Sequence, residues 1–209
     1  MTQTITRLYD SYDTALQATL SLKEAGFGDR DISLIANRSA TPYVQDRPYA
    51  ETSAAADDAG TGATFGGAIG AAAGLMAGMG VLAIPGIGPV VAAGWLASTL
   101  AVGAAGAVAG GVTGGIVGAL TETGTTEEEA EVYAESVRRG DTLVTVRVPD
   151  DRVMDANRIL SRYRAVDAAA REAEYRGAGW ERFDEAGKPY VSDRRDAVSP
   201  TGLPPDPLR

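Results

Sequence analysis

Apolar and polar positions alternate over residues 3–8 (QTITRL), with Ile5 and Leu8 on the apolar side, and this predicts a short strand. Asp10 and Ser11 then offer an N-cap. Tyr12, Ala15, Leu16, Thr19, Leu20 and Leu22 follow at mostly helical spacing. Gly26 stands where a left-handed C-cap is wanted, and Phe27 is placed for the hydrophobic contact of a Schellman close. Residues 31–36 (DISLIA) predict a second strand, so the first 37 residues make a β-α-β unit. Residues 38–61 are rich in Ser, Thr, Pro, Asp and Ala, with no periodicity, and read as a linker. Beyond residue 122, Thr126 and Glu129 have the spacing of a capping box, and Glu127 to Glu129 load the positive end of the helix dipole. Arg138 and Arg139 fill the last turn of that helix, and Gly140 ends it. Residues 142–148 (TLVTVRV) are the clearest strand. A helix with Val153, Ala156, Ile159, Leu160 and Tyr163 on its inner face follows, with a short strand near 165–169. The tail, 171–209, is polar, carries five prolines and is expected to be mostly disordered, with a small docked piece around Trp180 and Phe183.

The middle of the chain is different in kind. Residues 59–121 carry no charged side chain, where about one residue in four is charged in ordinary globular sequence. A Pro-Gly turn, IPGIGP, with Pro85, Gly86, Gly88 and Pro89, divides this block into two arms, about 63–84 and 90–120. Gly62, Gly66, Gly70, Gly74 and Gly78 recur every fourth residue in the first arm. Gly106, Gly110, Gly114 and Gly118 do so in the second. That spacing puts missing side chains on one helix face, where another backbone can approach closely. The expectation is a glycine-zipper-like helical hairpin over 62–121. Glycine disfavours a free helix by roughly 1 kcal/mol per residue, so the six in 63–84 penalise that arm by about 6 kcal/mol in water. A bilayer restores the helix, because unpaired amides find no water there, and each arm reaches the ~20 residues of a span.

With the middle set aside, β-α-β is followed by β-α-β. The expected class is therefore α+β, a ferredoxin-like sandwich (1–37 and 122–170) interrupted by the Gly/Ala-rich α-helical hairpin. Strands two and three of that fold are joined by a loop, where a long insertion is entropically tolerable.

Composition narrows the chemistry. The net charge is −9, which argues against nucleic acid as a partner. The chain has no Cys and no His, so it lacks thiol chemistry, the commonest general base and the commonest transition-metal ligand. Asp10, Asp13, Asp29, Asp31, Asp150 and Asp151 occupy cap and turn positions, and Glu127, Glu128, Glu129 and Glu131 lie in or beside a first helical turn. No P-loop or GxGxxG context accompanies the glycines. No catalytic residue, cofactor or metal is expected.

The segments ITRLYDSYDTALQATLSLKEAGFGDRDISLIAN, IPGIGPVVAAGWLA and TTEEEAEVYAESVRRGDTLVTVRV together resemble the bacterial general stress protein family of the heat-induced YflT type, over residues 4 to about 170. The resemblance implies a stress-associated bacterial protein and brings no catalytic residues. Trp95, in AAGWLA, reads as an interfacial anchor or a large packing residue. The leading expectation is a non-enzymatic stress-response protein held at the bacterial inner membrane by the hairpin, with both termini and an interaction domain in the cytoplasm. It would contact the lipid bilayer and associate with itself. The alternative is a cytoplasmic ligand- or partner-binding module that self-assembles through the hairpin.

Overall fold

A computed structural model describes residues 2–40, 80–84, 86–100 and 115–187. They build an α+β unit on one six-stranded antiparallel sheet. In chain order the elements are β1 (Thr2–Tyr9), α1 (Tyr12–Glu24), β2 (Ile32–Asn37), β3 (Gly80–Ile84), β4 (Gly88–Ala93), a helical stretch at 95–100, α2 (Gly115–Thr121), α3 (Glu127–Arg139), β5 (Thr142–Pro149), α4 (Val153–Leu160), β6 (Ala165–Val166) and α5 (Ala168–Gly177). The strands lie in the order β3-β4-β2-β5-β1-β6.

The ends of the helices follow from the sequence. Ser11 Oγ accepts the Thr14 N–H and starts α1. At the other end Phe27 N–H donates to Leu22 O while Gly26 takes a φ of 83°, a Schellman close, and Phe27 is buried. Arg152 seals this corner, its guanidinium over the Phe27 ring and donating to the free carbonyls of Ala25 and Gly26. Thr126 caps α3 through the Glu129 N–H, and Gly140 ends it at φ 112°. Glu129 does not complete the expected box. Its carboxylate accepts the Tyr133 hydroxyl at 2.6 Å, one turn along.

Each sheet face buries a core of its own. On the first face Ile5, Tyr9, Ile32, Leu34, Val144, Val146 and Val148 meet α1 and α4 through Ala15, Ala18, Leu22, Ala156 and Leu160. On the second Leu8, Ile35, Val90, Ala92 and Leu143 meet α2, α3, residues 95–100 and Phe183. Leu22 is fully buried on the first face, and truncating it to Ala is worth about 3 kcal/mol.

The largest departure from the sequence expectation is in the uncharged block. Residues 80–84 and 88–93 are not helical. They are β3 and β4, paired Gly80↔Ala92 through Ile84↔Gly88, and β4 pairs in turn with β2. The glycine spacing of four stops at Gly78 and resumes only beyond Gly103, and the interval holds Val81, Leu82, Ile84, Val90 and Val91. Branched side chains suit an extended backbone, and the free edge of β2 offers them a partner. Ile87 N–H donates to Ile84 O, and Gly86 and Gly88 take φ of 74° and 97°, so the turn joins strands rather than helices. The second arm is helical at 95–100 and 115–121.

The tail also differs from expectation. Residues 168–177 form α5, capped by Asp167, and 178–187 return across the second face to bury Phe183. The disorder expected from residue 171 therefore does not hold as far as 187.

Candidate functional site

Of the residues singled out in the sequence, Gly62, Gly66, Gly70, Gly74, Gly78, Gly106, Gly110, Gly114 and Pro85 lie outside the described residues. Gly118 is within α2, between the buried Val117 and Ala119. Gly86, Gly88 and Pro89 are brought together in the β3–β4 turn. A side chain at Gly86 would lie 2.5 Å from the Asp184 carbonyl, so the bare backbone there seats the returning tail. Among the described residues no helix is long and apolar enough to cross a membrane.

The feature that stands out was not anticipated. Strand alternation puts Leu8, Leu143 and Ile35 in one row across β1, β5 and β2 on the second face. One step along the same face the row is Thr6, Thr145 and Ser33, in direct register. One step further Arg147 stands opposite Thr4. The face thus changes from apolar to polar within two residues of each strand.

Trp95 covers the polar end. β4 finishes at Ala93, and Gly94 turns the chain at φ 84° directly onto the Ile32 carbonyl. The Leu96 N–H then donates to Ser33 Oγ at 2.9 Å, which fixes the following helical residues. Held this way, the Trp95 ring lies under the Arg147 guanidinium, 3.7 Å from its centroid.

Three polar groups here are left without a match. Thr145 is 1% exposed and its hydroxyl has no hydrogen-bond partner. The Trp95 indole N–H is enclosed and equally unpartnered. Arg147 is half-buried, and among the described residues no carboxylate forms an ion pair with its guanidinium. The neighbouring Asp31 accepts the Arg147 backbone N–H through its carbonyl, while its carboxylate faces Gly28. An enclosed donor without a partner costs about 1–3 kcal/mol, and native structures keep few of them.

Elsewhere the charged groups satisfy one another. Glu135, 1% exposed on α3, accepts from Arg138 twice at 2.7 Å and from Arg139. Arg139 stacks on Tyr175, whose hydroxyl meets Ser136 at 3.0 Å. Arg171 of α5 grips Asp141 with two hydrogen bonds, at 3.0 and 3.1 Å. Burial raises the Asp141 carboxyl above its ordinary value despite that cation. Burial likewise raises Tyr133, helped by Glu129, and pushes Tyr9 up to about 12. A concavity of about 540 Å³ lies between Val117, Glu131 and the returning tail at Arg182, Phe183 and Glu185. Its rim is mostly exposed side chains, so it offers little enclosure. Among the described residues no group of acidic side chains is placed to hold a metal ion.

The sequence signal for the polar row was available. Thr145 and Arg147 alternate with Val144, Val146 and Val148, and Thr4 and Thr6 flank Ile5. What could not be read was which neighbours those positions acquire, because that depends on β4 and Trp95 arriving from the uncharged block. No family model matches the chain, and neither a curated protein nor a solved structure matches it.

Proposed function

We propose that this chain is a non-enzymatic bacterial stress-response protein that works by binding and assembly. Its body is read as a ferredoxin-like sandwich, supported by the order β2-β5-β1-β6, with β3 and β4 as an extension on the β2 edge. Its glycine-rich segments on either side of that extension associate with those of other copies. The stress-response part rests on the sequence resemblance. The binding part is supported by the unmatched polar groups at the Trp95 end of the sheet.

One observation carries the choice between assembly in water and a membrane hairpin. The chain leaves the sheet after β2 and rejoins the same sheet at Gly80. Any bilayer crossing between these points must be made twice. The uncharged residues available there are 59–79, enough for one crossing of about 20 residues and not for two. The stretch 101–114, between two elements of the same body, is shorter than one crossing. Peripheral attachment to lipid remains the second reading, favoured by the absence of charge in 59–79.

Two measurements test this. Tagged protein in a bacterial lysate should leave the membrane fraction on a salt or carbonate wash; retention until detergent is added would restore the membrane reading. The purified chain should sediment as an oligomer, and Gly70→Leu with Gly74→Leu should shift it toward monomer. An unchanged oligomer in the double variant would remove the glycine segments from the interface.

A further inference from the structure

We infer that the Trp95 end of the second sheet face is a binding site for a small oxyanion, a phosphate or carboxylate group carried by a ligand. The inference rests on the reading of the body as a binding module and names the chemistry of what it binds.

The ligand class follows from what the groups lack. Arg147 presents a planar fork of N–H donors suited to two oxygens of one anion. Its guanidinium is held in place from one side by the Trp95 ring at 3.7 Å, which fixes its orientation while leaving its in-plane donors unspent. Thr145, two residues away on the same face of β5, adds an enclosed hydroxyl with no partner, and Trp95 adds an enclosed N–H with none. All three can donate, and two of them can only donate. Among the described residues no carboxylate pairs with these groups, and Asp31 directs its own to Gly28, so the set does not suit a cation. A neutral apolar ligand would leave every donor unmet. An anion satisfies them together, with Thr4 and Thr6, both half-buried on β1, completing the wall. The net charge of −9 gives the chain little general attraction for anions, so binding here depends on this local set.

The frame is built to hold that geometry. Ser33 is spent on the Leu96 N–H, which anchors the segment carrying Trp95, and is therefore a positioning residue. Gly94 allows that segment to lie against the Ile32 carbonyl. Arg147 is half-buried and Thr145 is 1% exposed, so a ligand arriving from solvent would meet the guanidinium first.

The test uses the full chain carrying Trp180→Phe, which leaves Trp95 as the single tryptophan. Its emission is followed during titration with inorganic phosphate, and separately with acetate, at constant ionic strength set by chloride. A saturable change with either anion is expected, and the tighter of the two names the class. Arg147→Gln should weaken binding at least about tenfold, since it removes a charge-assisted pair of hydrogen bonds. Thr145→Val should weaken it several-fold while leaving the urea midpoint equal or higher, because it removes a buried hydroxyl that nothing satisfies in the free protein. The inference is overturned if neither anion gives a saturable response, or if Arg147→Gln, with an unchanged circular dichroism spectrum, responds as the parent does. A Thr145→Val variant that is less stable than the parent would also overturn it, since the hydroxyl would then already have a structural partner. Sedimentation of the same samples separates the two ideas: a failed titration with the oligomer intact removes the anion site alone.

Discussion

At Gly94 the chain has no room for a β-carbon. The backbone turns at φ 84° with the Ile32 carbonyl pressed against the position a side chain would take. Two independent penalties coincide there, a conformation L-residues avoid and a collision with main chain that has nowhere to retreat. The carbonyl belongs to β2, a central strand whose six residues are all buried. Gly94→Ala is therefore expected to destabilise the protein by about 3 kcal/mol or more, read as a lower urea midpoint. It should also release Trp95 from Arg147, seen as a red shift of tryptophan emission. A midpoint within a few tenths of a molar of the parent would mean that the approach to Ile32 is looser than drawn. Gly26 makes the contrast. It too has positive φ, 83°, but a β-carbon there meets nothing within 4 Å, so alanine bears only the conformational penalty.

Elements divide by how locally their sequence decides them. The α1 and α3 helices were legible to within a residue or two, because their caps are written beside them: Ser11, Gly26 and Phe27, then Thr126 and Gly140. β5 was equally plain from TLVTVRV. β3 and β4 were not, since β2, the strand on which β4 pairs, lies more than forty residues upstream of the hairpin, and the glycine spacing on either side suggested a helix running through. α5 was missed for a related reason. Little of its surface is apolar, and it is held by tertiary contacts that its own sequence does not announce: Tyr175 buried against Ser136 and Arg139, and Arg171 on Asp141. That last pair makes a prediction at this scale. Arg171→Ala leaves the Asp141 carboxylate nine-tenths buried without its cation, and the expected loss is about 2 kcal/mol at pH 7. The folded-state value of Asp141 is raised, chiefly by burial, so the stability linked to its proton is fully present below the ordinary 3.8 and is lost as pH rises through the folded value. Removing Arg171 raises that value further. The difference between variant and parent should therefore shrink as the pH falls through the two folded values and below the ordinary 3.8, where Asp141 becomes neutral in both. A pH-independent difference in urea midpoints would assign the effect of Arg171 to packing, or to its other partner Glu174.

The whole molecule places an uncharged, glycine-rich segment between two strands of one sheet, and the consequences are mechanical. The chain leaves the sheet after β2 and a short helical turn at Arg38–Ala40 and returns at β3, which reaches β2 through β4. Val90 is opposite Asn37, and Ala92 is opposite both Ile35 and Gly80, so the points of departure and return sit near the same sheet edge. A ten-residue Gly/Ser linker has a mean span of about 17 Å, enough to join such points. Lengthening or shortening a connection of this kind changes closure entropy by only about 0.6 kcal/mol per doubling. Among the described residues, side chains of the sheet, the helices and Phe183 already close both cores. Replacing 41–79 with that linker should therefore leave one cooperative unfolding transition, with a thermal midpoint within a few degrees of the parent, while the oligomer is reduced. Folding and assembly would then be separable properties of one chain, the first held in the sheet and its two cores, the second in the glycine-rich segments. A linker variant that unfolds non-cooperatively, or far below the parent, would contradict that division and make the glycine-rich segment part of the body. A variant that folds yet remains fully oligomeric would move the interface onto the sheet and helices themselves.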